Sequence, residues 1–220
     1  PTELYTLSLH DALPIYFSYS DGFGREIQKK VQAEPGPVPQ RDADGRIIVG
    51  SDNQTVMTLS NVSPRWVGSG WTVFNNKGKP VRQFEPFFTD THRFEFDVRI
   101  GVSPVLFYDP VERMVATLHP NHTWEKVVFD PWRQETWDVS DTVLVADPKD
   151  DPDVGDFFRR LPEGDYLPTW YAQRETGGRG PHEKSAANKA AVHAATPTVA
   201  HADSLGRTFI AIAHNRFKRS

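Results

Sequence analysis

The side chains best able to do chemistry in this sequence stand apart from the partners that chemistry requires. Gly68-Ser69-Gly70 places a serine among glycines, but a nucleophile elbow needs Gly-x-Ser-x-Gly to hold the serine on a tight strand-to-helix turn. His182-Glu183 opens the His-Glu-x-x-His pattern that sets two imidazoles on one helical face for zinc, yet Ala186 occupies the second histidine's place. His119 and His122 lie three apart in a stretch that reads as a turn, and His92 with Glu95 is an equally thin pair; a zinc site needs a third ligand. Asp147, Asp150, Asp151, Asp153 and Asp156 could attract calcium but lack the twelfth-position glutamate of a calcium-binding loop, so they read as a solvated acidic loop. The glycine patterns that cradle phosphates are absent. With no cysteine there is no thiolate nucleophile, thiolate metal site or disulfide. The expectation is therefore no catalytic residue, no metal ligand, no cofactor-binding residue and no cofactor.

The 220 residues are enough for one large domain or two small ones, with a core that removes roughly 70% of the unfolded surface from water. Hydrophobic residues make up 38% and aromatic residues 12%, which argues for a folded chain with a modest core. Gly 15 and Pro 18 make it rich in turns. A net charge of -4 argues against a general nucleic-acid binder. No run of 18 apolar residues is present, so no transmembrane helix is read.

Residues 1–15 (PTELYTLSLHDALPI) resemble translated sequencing-adapter peptide and are set aside as a non-native segment, with native sequence from about Tyr16. The chain as a whole reads as an internal piece of something longer. Residues 16–146 read as short strands: Arg25–Ala33, Val105–Tyr108, Met114–Leu118, Thr123–Phe129 and Glu135–Val139 are β-branched or aromatic runs between turn residues. In the first of these Ile27, Val31 and Ala33 share one side while Gln28, Lys30 and Gln32 take the other, which predicts a wet face. Residues 147–197 change character. Asp153 is placed to cap a short helix with Val154, Phe157, Phe158 and Leu161 at helical spacing, ended by Pro162. Residues 175–180 read as a mobile loop, and an alanine-rich helix follows from Pro181 to Ala195. Residues 198–220 return to strand character, with a strand at Arg207–Ala213.

One pattern recurs along the strand regions: Asp or Asn, two variable residues, Gly, then a basic residue. It occurs at Asp21-Gly24-Arg25, Asp42-Gly45-Arg46, Asn75-Gly78-Lys79 and Asp203-Gly206-Arg207. Degenerate copies stand at Asp109–Arg113, preceded by Tyr108, and at Asp130–Arg133. The physics is that of a β-hairpin. Asp or Asn opens a type I turn by accepting from the backbone two residues on, Pro110 and Pro131 preset φ, and glycine takes the positive φ that matches the turn to strand twist. Glu112 stands at the glycine position of one copy, which predicts a strained residue or a different loop. Asp21 and Asp42, and again Asp109 and Asp130, begin 21 residues apart, room for two short strands and two turns.

Tyr108-Asp109 through Arg113, Leu118-His119-Pro120-Asn121-His122-Thr123 and Phe129-Asp130 together resemble a YD-repeat (Rhs-repeat) unit, with Glu112 and His122 in place of its glycines. The stretches SDGFGREIQKKVQAEPGP, WVGSGWTVFNNKGKPVRQFEPFF and LFYDPVERMVATLHPNHTWEKVVFDPWRQETWDV resemble the B component of bacterial insecticidal Tc toxin complexes and related SpvB-type virulence proteins. The resemblance covers about residues 16–217. It implies a mainly β fold: an antiparallel hairpin ribbon forming part of a hollow shell, with an inserted helical element around 153–196. It implies a structural role, enclosing a cytotoxic cargo for delivery into host cells. The partners it implies are the rest of the same B-component chain, the C component with its cargo and, indirectly, the pore-forming A component; it implies a secreted, extracellular location and no direct membrane insertion. The self-cleaving aspartyl site belongs to the C component, and no residue here matches it. ADP-ribosylation, suggested by SpvB-type relatives, finds only Gln83-Phe84-Glu85, with no Ser-Thr-Ser strand beside it.

The alternative reading is a carbohydrate- or cell-surface-binding β-module using Trp66, Trp71, Trp124, Trp132, Trp137 and Trp170 as stacking platforms, although Trp in β-proteins more often fills cores with its N–H paired. A third reading is a hydrolase whose site is not legible. Rings packed between hairpins favour the shell, and a row of rings on an open face favours the module.

Overall fold

The computed structural model describes residues 15–51 and 54–216. The segment set aside at the amino terminus lies, but for Ile15, outside the described residues. The chain divides into two compact units: residues up to Thr72 together with Gln83–Val102, and Val73–Arg82 together with the chain from Ser103 on. The fold is mainly antiparallel β, with few helices and open sheets.

The first unit carries a four-stranded sheet in the order β1-β2-β3-β6, from β1 (Tyr16–Ser20), β2 (Glu26–Ala33), β3 (Arg65–Gly68) and β6 (Phe87–Thr89). Between β2 and β3 the chain makes a three-armed junction at which the backbones of Gln40, Ile48 and Val56 close a ring: each N–H donates to a carbonyl of another member. Arms leave it at Asp42–Arg46, at the pairing of Val49 with Thr55 and along the Gly36–Val62 pairing.

β2 departs from the sequence expectation at two residues. Gln28 and Lys30, placed on a wet face by the alternation, are both 0% exposed. Glu95 lies against both and supplies their polar partners, while Gln32 on the same side stays exposed as expected.

The second sheet follows the order β12-β11-β10-β9-β8-β7-β5-β4, neighbouring strands being mostly consecutive in sequence. Its members are β4 (Thr72–Phe74), β5 (Pro80–Gln83), β7 (Val105–Tyr108), β8 (Met114–Leu118), β9 (Trp124–Phe129), β10 (Arg133–Trp137), β11 (Thr198–Ala202) and β12 (Thr208–Ile212). The run expected at 135–139 is shifted to Arg133–Trp137, since the turn from Asp130 is one residue shorter than the others: its N–H donates to Arg133 O.

Residues 147–197 pack within this second unit. Val154 and Phe158 join Val105, Phe107, Ala116, Leu118, Trp124 and Tyr166 in one buried cluster, so the insertion covers the face of β7, β8 and β9. The helix α1 spans only Gly155–Phe158 and ends before Pro162. It is not capped by Asp153: Asp151 Oδ1 receives the N–H groups of Asp153 and Val154, while the Asp153 carboxylate turns to Lys126. Residues 169–180 are not an open loop but a run of turns closed by backbone hydrogen bonds, such as Gln173 N–H to Thr169 O and Gly177 N–H to Arg174 O. The second helix, α2 (Pro181–Val192), starts at the proline as expected from its preset φ.

Candidate functional site

The Asp-x-x-Gly segments sit at hairpin tips. At Asp21 the aspartate N–H donates to Arg25 O and its carbonyl accepts from Gly24 N–H, while Oδ1 accepts from the N–H groups of both Phe23 and Arg25. One carboxylate oxygen thus satisfies two turn donors at once. The same bonds recur at Asp42, Asn75, Asp109 and Asp203. In three copies the second oxygen holds the basic residue that starts the return strand: Arg25, Arg113 and Arg207 donate through Nε to Asp21, Asp109 and Asp203. Gly24, Gly45, Gly78 and Gly206 take φ of 73–80°, and the ladders shift register beside the tips at Ser20, Tyr108 and Ala202, the bulge that such a turn needs. Tyr108 directs its hydroxyl to Pro80 O at 3.1 Å, tying its hairpin to the neighbouring one. Asp130 keeps the first part of the pattern, receiving Trp132 N–H.

Glu112 adopts the glycine conformation, with φ 70°, and so resolves the alternative in favour of strain rather than another loop. His122 does the same at φ 65°. Glu112→Gly is expected to stabilise the chain by about 1 kcal/mol, since a Cβ in the left-handed region costs roughly 1–2 kcal/mol and the exposed Lys79–Glu112 pair at 3.4 Å contributes little. A rise in the urea midpoint with unchanged slope is the check; a fall means that the ion pair outweighs the strain.

These turns also set an acid dependence. The backbone N–H and then the side chain of Arg207 hold the Asp203 carboxyl below its ordinary value, against a smaller push upward from burial. At Asp21 and Asp109 burial pushes upward, but the hydrogen bonds and charge of Arg25 and Arg113 together outweigh it. A carboxyl depressed on folding contributes stability that is complete above its unfolded pKa of about 3.9 and is lost as pH falls through the folded value. Asp203→Asn, which keeps the acceptor as Asn75 does naturally, should flatten the stability profile below about pH 4 and leave the turn intact; an unchanged acid limb would show that the turn carboxylate does not drive it.

The second repeated device is a lysine buried under a sheet. Lys30 pairs with Glu95, which also takes Arg41, and its ammonium lies 4.6 Å from the Phe87 ring centre. Burial pushes the Lys30 ammonium below its ordinary value, and Glu95 pulls it back. Gln28 grips the Glu95 backbone from both sides, donating to its carbonyl at 3.1 Å and accepting its N–H at 2.9 Å. In the second unit Lys126, 5% exposed, lies between Asp151 at 2.7 Å and Asp153 at 2.6 Å, with the Trp137 ring 4.8 Å away. The acidic run is therefore partly interior: its aspartates anchor the insertion to the sheet, Asp147 meanwhile accepting Lys149 N–H. Neither lysine was legible as a special residue, because each partner lies tens of residues away.

The residue pairs singled out for chemistry find other partners. Glu95 faces Lys30 and Arg41, while His92 stacks on Phe17 at 4.7 Å. His119 lies 3.8 Å from Glu125, and His122 Nδ1 meets Pro168 O at 2.8 Å. Glu183 pairs with Arg174. Among the described residues no three His, Asp or Glu converge as a metal site. Of the tryptophans, Trp66 and Trp124 are buried, Trp71, Trp137 and Trp170 are half-buried and Trp132 is exposed. The Trp66 N–H departs from expectation: it is buried among Phe17 and His92 with no hydrogen-bond partner among the described residues.

No sequence profile of a known family matches this chain, and no curated protein matches it. Solved structures do. The chain is similar to a TcdB2-TccC3 crystal structure at 23% identity and TM-score 0.61, over 92% of this chain and 8% of that one. A TcdB2-TccC3-TEV structure gives 21% identity and TM-score 0.63, over 93% and 8%. A Tc holotoxin pore from Photorhabdus luminescens gives 23% identity and TM-score 0.60, over 90% and 7%. The shared fold is that of a stretch of the Tc toxin chains, and this chain spans less than a tenth of their length.

Proposed function

We propose that this chain is a wall segment of a toxin-complex shell: a structural YD-repeat hairpin ribbon that helps to enclose a cytotoxic cargo and has no catalysis of its own. The observation that carries the reading is the eight-stranded sheet built mostly from sequential hairpins, three of them (β4–β5, β7–β8 and β11–β12) turned by the same local device, in a chain whose fold matches Tc toxin structures over nine-tenths of its length. A wall needs units that cannot cover their own faces and so must stack on neighbours. β12 fits that need: all five of its residues are exposed, with Phe209 at 70%. The largely covered Trp rings support packing over a sugar-binding row.

On this reading the partners are the rest of a B-component chain, the C component with its cargo and, through them, the A component, all secreted from the bacterium. Among the described residues no helix is long and apolar enough to cross a membrane. The test is to express the full reading frame that contains this chain with a C-type partner and add protease. A hollow particle by electron microscopy, with the partner's carboxy-terminal segment undigested, is expected. An open particle whose cargo is digested at the free-chain rate would overturn the reading.

A further inference from the structure

The two non-glycine residues in the turn glycine position differ in what their side chains do. Glu112 pairs with a lysine on the surface, whereas His122 is held at the wall of a pocket of about 380 Å³ in the second unit. Backbone strain at a position that glycine would occupy freely is an observation that asks for a use.

The His122 ring is fixed. Its Nδ1 meets Pro168 O at 2.8 Å, and a carbonyl only accepts, so Nδ1 carries the hydrogen. Gln173 donates to the same carbonyl at 2.7 Å. Nε2 has no partner among the described residues, and in the Nδ1–H tautomer it presents a lone pair. Arg174 and Arg179 share the lining of the pocket. Arg174 is 11% exposed and built in: it lies 4.4 Å from the Trp170 ring centre, donates through Nε to Glu183 and through Nη1 to Trp170 O at 3.1 Å, and keeps Nη2 without a partner among the described residues. Arg179 has neither an ion pair nor a hydrogen bond to the described residues, and no carboxylate lines the pocket. Glu183, on the far side of Arg174, offsets one of the two positive charges and leaves the other uncompensated.

Two forked donors beside a fixed acceptor match an oxyanion that also bears a hydroxyl hydrogen. We propose that this pocket is a phosphate-binding site, in which Arg174 and Arg179 take the anionic oxygens and His122 Nε2 accepts from the P–OH group. Sulfate offers the same charge and shape but no hydroxyl at neutral pH, so the proposal separates the two ions. The site is independent of the shell reading.

Calorimetric titration of the chain at neutral pH with inorganic phosphate, sodium sulfate and glycerol 3-phosphate tests it. Phosphate is expected to bind more tightly than sulfate, and Arg179→Gln, at an exposed side chain, to weaken phosphate about 10-fold without moving the thermal midpoint. His122→Gly should keep the turn, which glycine suits, and bring phosphate affinity down to that of sulfate. Glycerol 3-phosphate, mostly a dianion without P–OH at neutral pH, is expected to bind more weakly than phosphate, which assigns the site to the free ion; tighter binding of the ester would overturn the P–OH contact. Equal affinity for phosphate and sulfate, no binding at millimolar phosphate, or unchanged affinity in Arg179→Gln would overturn the proposal.

Discussion

Glu95→Ala is expected to destabilise the first unit by about 3–5 kcal/mol, the cost of leaving a buried charge without its partner. The Lys30 side chain is 0% exposed, so water cannot replace the lost carboxylate, and Arg41 loses the same partner. The opposite change is milder. Lys30→Met keeps the volume and contact with the Phe87 ring, and Glu95, 13% exposed, retains Arg41; the expected cost is about 0–2 kcal/mol. The asymmetry is the test. Combining the two changes should recover most of the Glu95→Ala loss, because the double variant no longer buries an unpaired ammonium. Urea unfolding followed through Trp66, which lies in this unit, reads the result. Equal costs for the two single changes would mean that the pair contributes through packing and not through charge.

The same residues show what sequence conveys and what it withholds. The turns are legible because every bond that makes them closes within five residues: Asp21 reaches Phe23, Gly24 and Arg25 and nothing farther is needed. Strand spans follow from the same local rule, since a turn fixes where its strands begin. The inside of β2 is not legible. Alternation sorts Gln28 and Lys30 from Ile27 and Val31 correctly, but which set faces inward depends on chain 65 residues away at Glu95. A lysine on one side of an alternating strand reads as solvated unless a carboxylate is known to be waiting. Asp153 fails as a cap for the same reason: its carboxylate is drawn to Lys126 of β9, while Asp151, which also pairs with Lys126, takes the N–H groups of Asp153 and Val154. His122 is the instructive middle case. Its departure from glycine is visible in the sequence, but the pocket that gives the departure a purpose is built by Arg174 and Arg179 from the insertion.

Phe158→Ala is expected to cost about 3–5 kcal/mol and to loosen the insertion from its sheet. Phe158 is fully buried and touches three rings, with centroids 5.3 Å from Phe107, 5.3 Å from Trp124 and 5.5 Å from Tyr166. Phe107 and Trp124 belong to β7 and β9, and Tyr166 to the insertion, so one side chain joins both sides of the core. The polar anchors do not depend on it: Lys126 still reaches Asp151 and Asp153, and Thr142 still donates to Trp124 O. The variant should therefore keep the hairpins and lose protection first in residues 154–167. Amide exchange should rise there before it rises in β8. Lys126→Met in the same background would remove the polar anchor as well, and the double variant should lose less than the sum of the two single losses if packing and ion pairing hold the same segment in one position. Exchange rising uniformly through β7, β8 and β9 with the single Phe158 change would show instead that the insertion is not a separable cover and that the sheet cannot form without it.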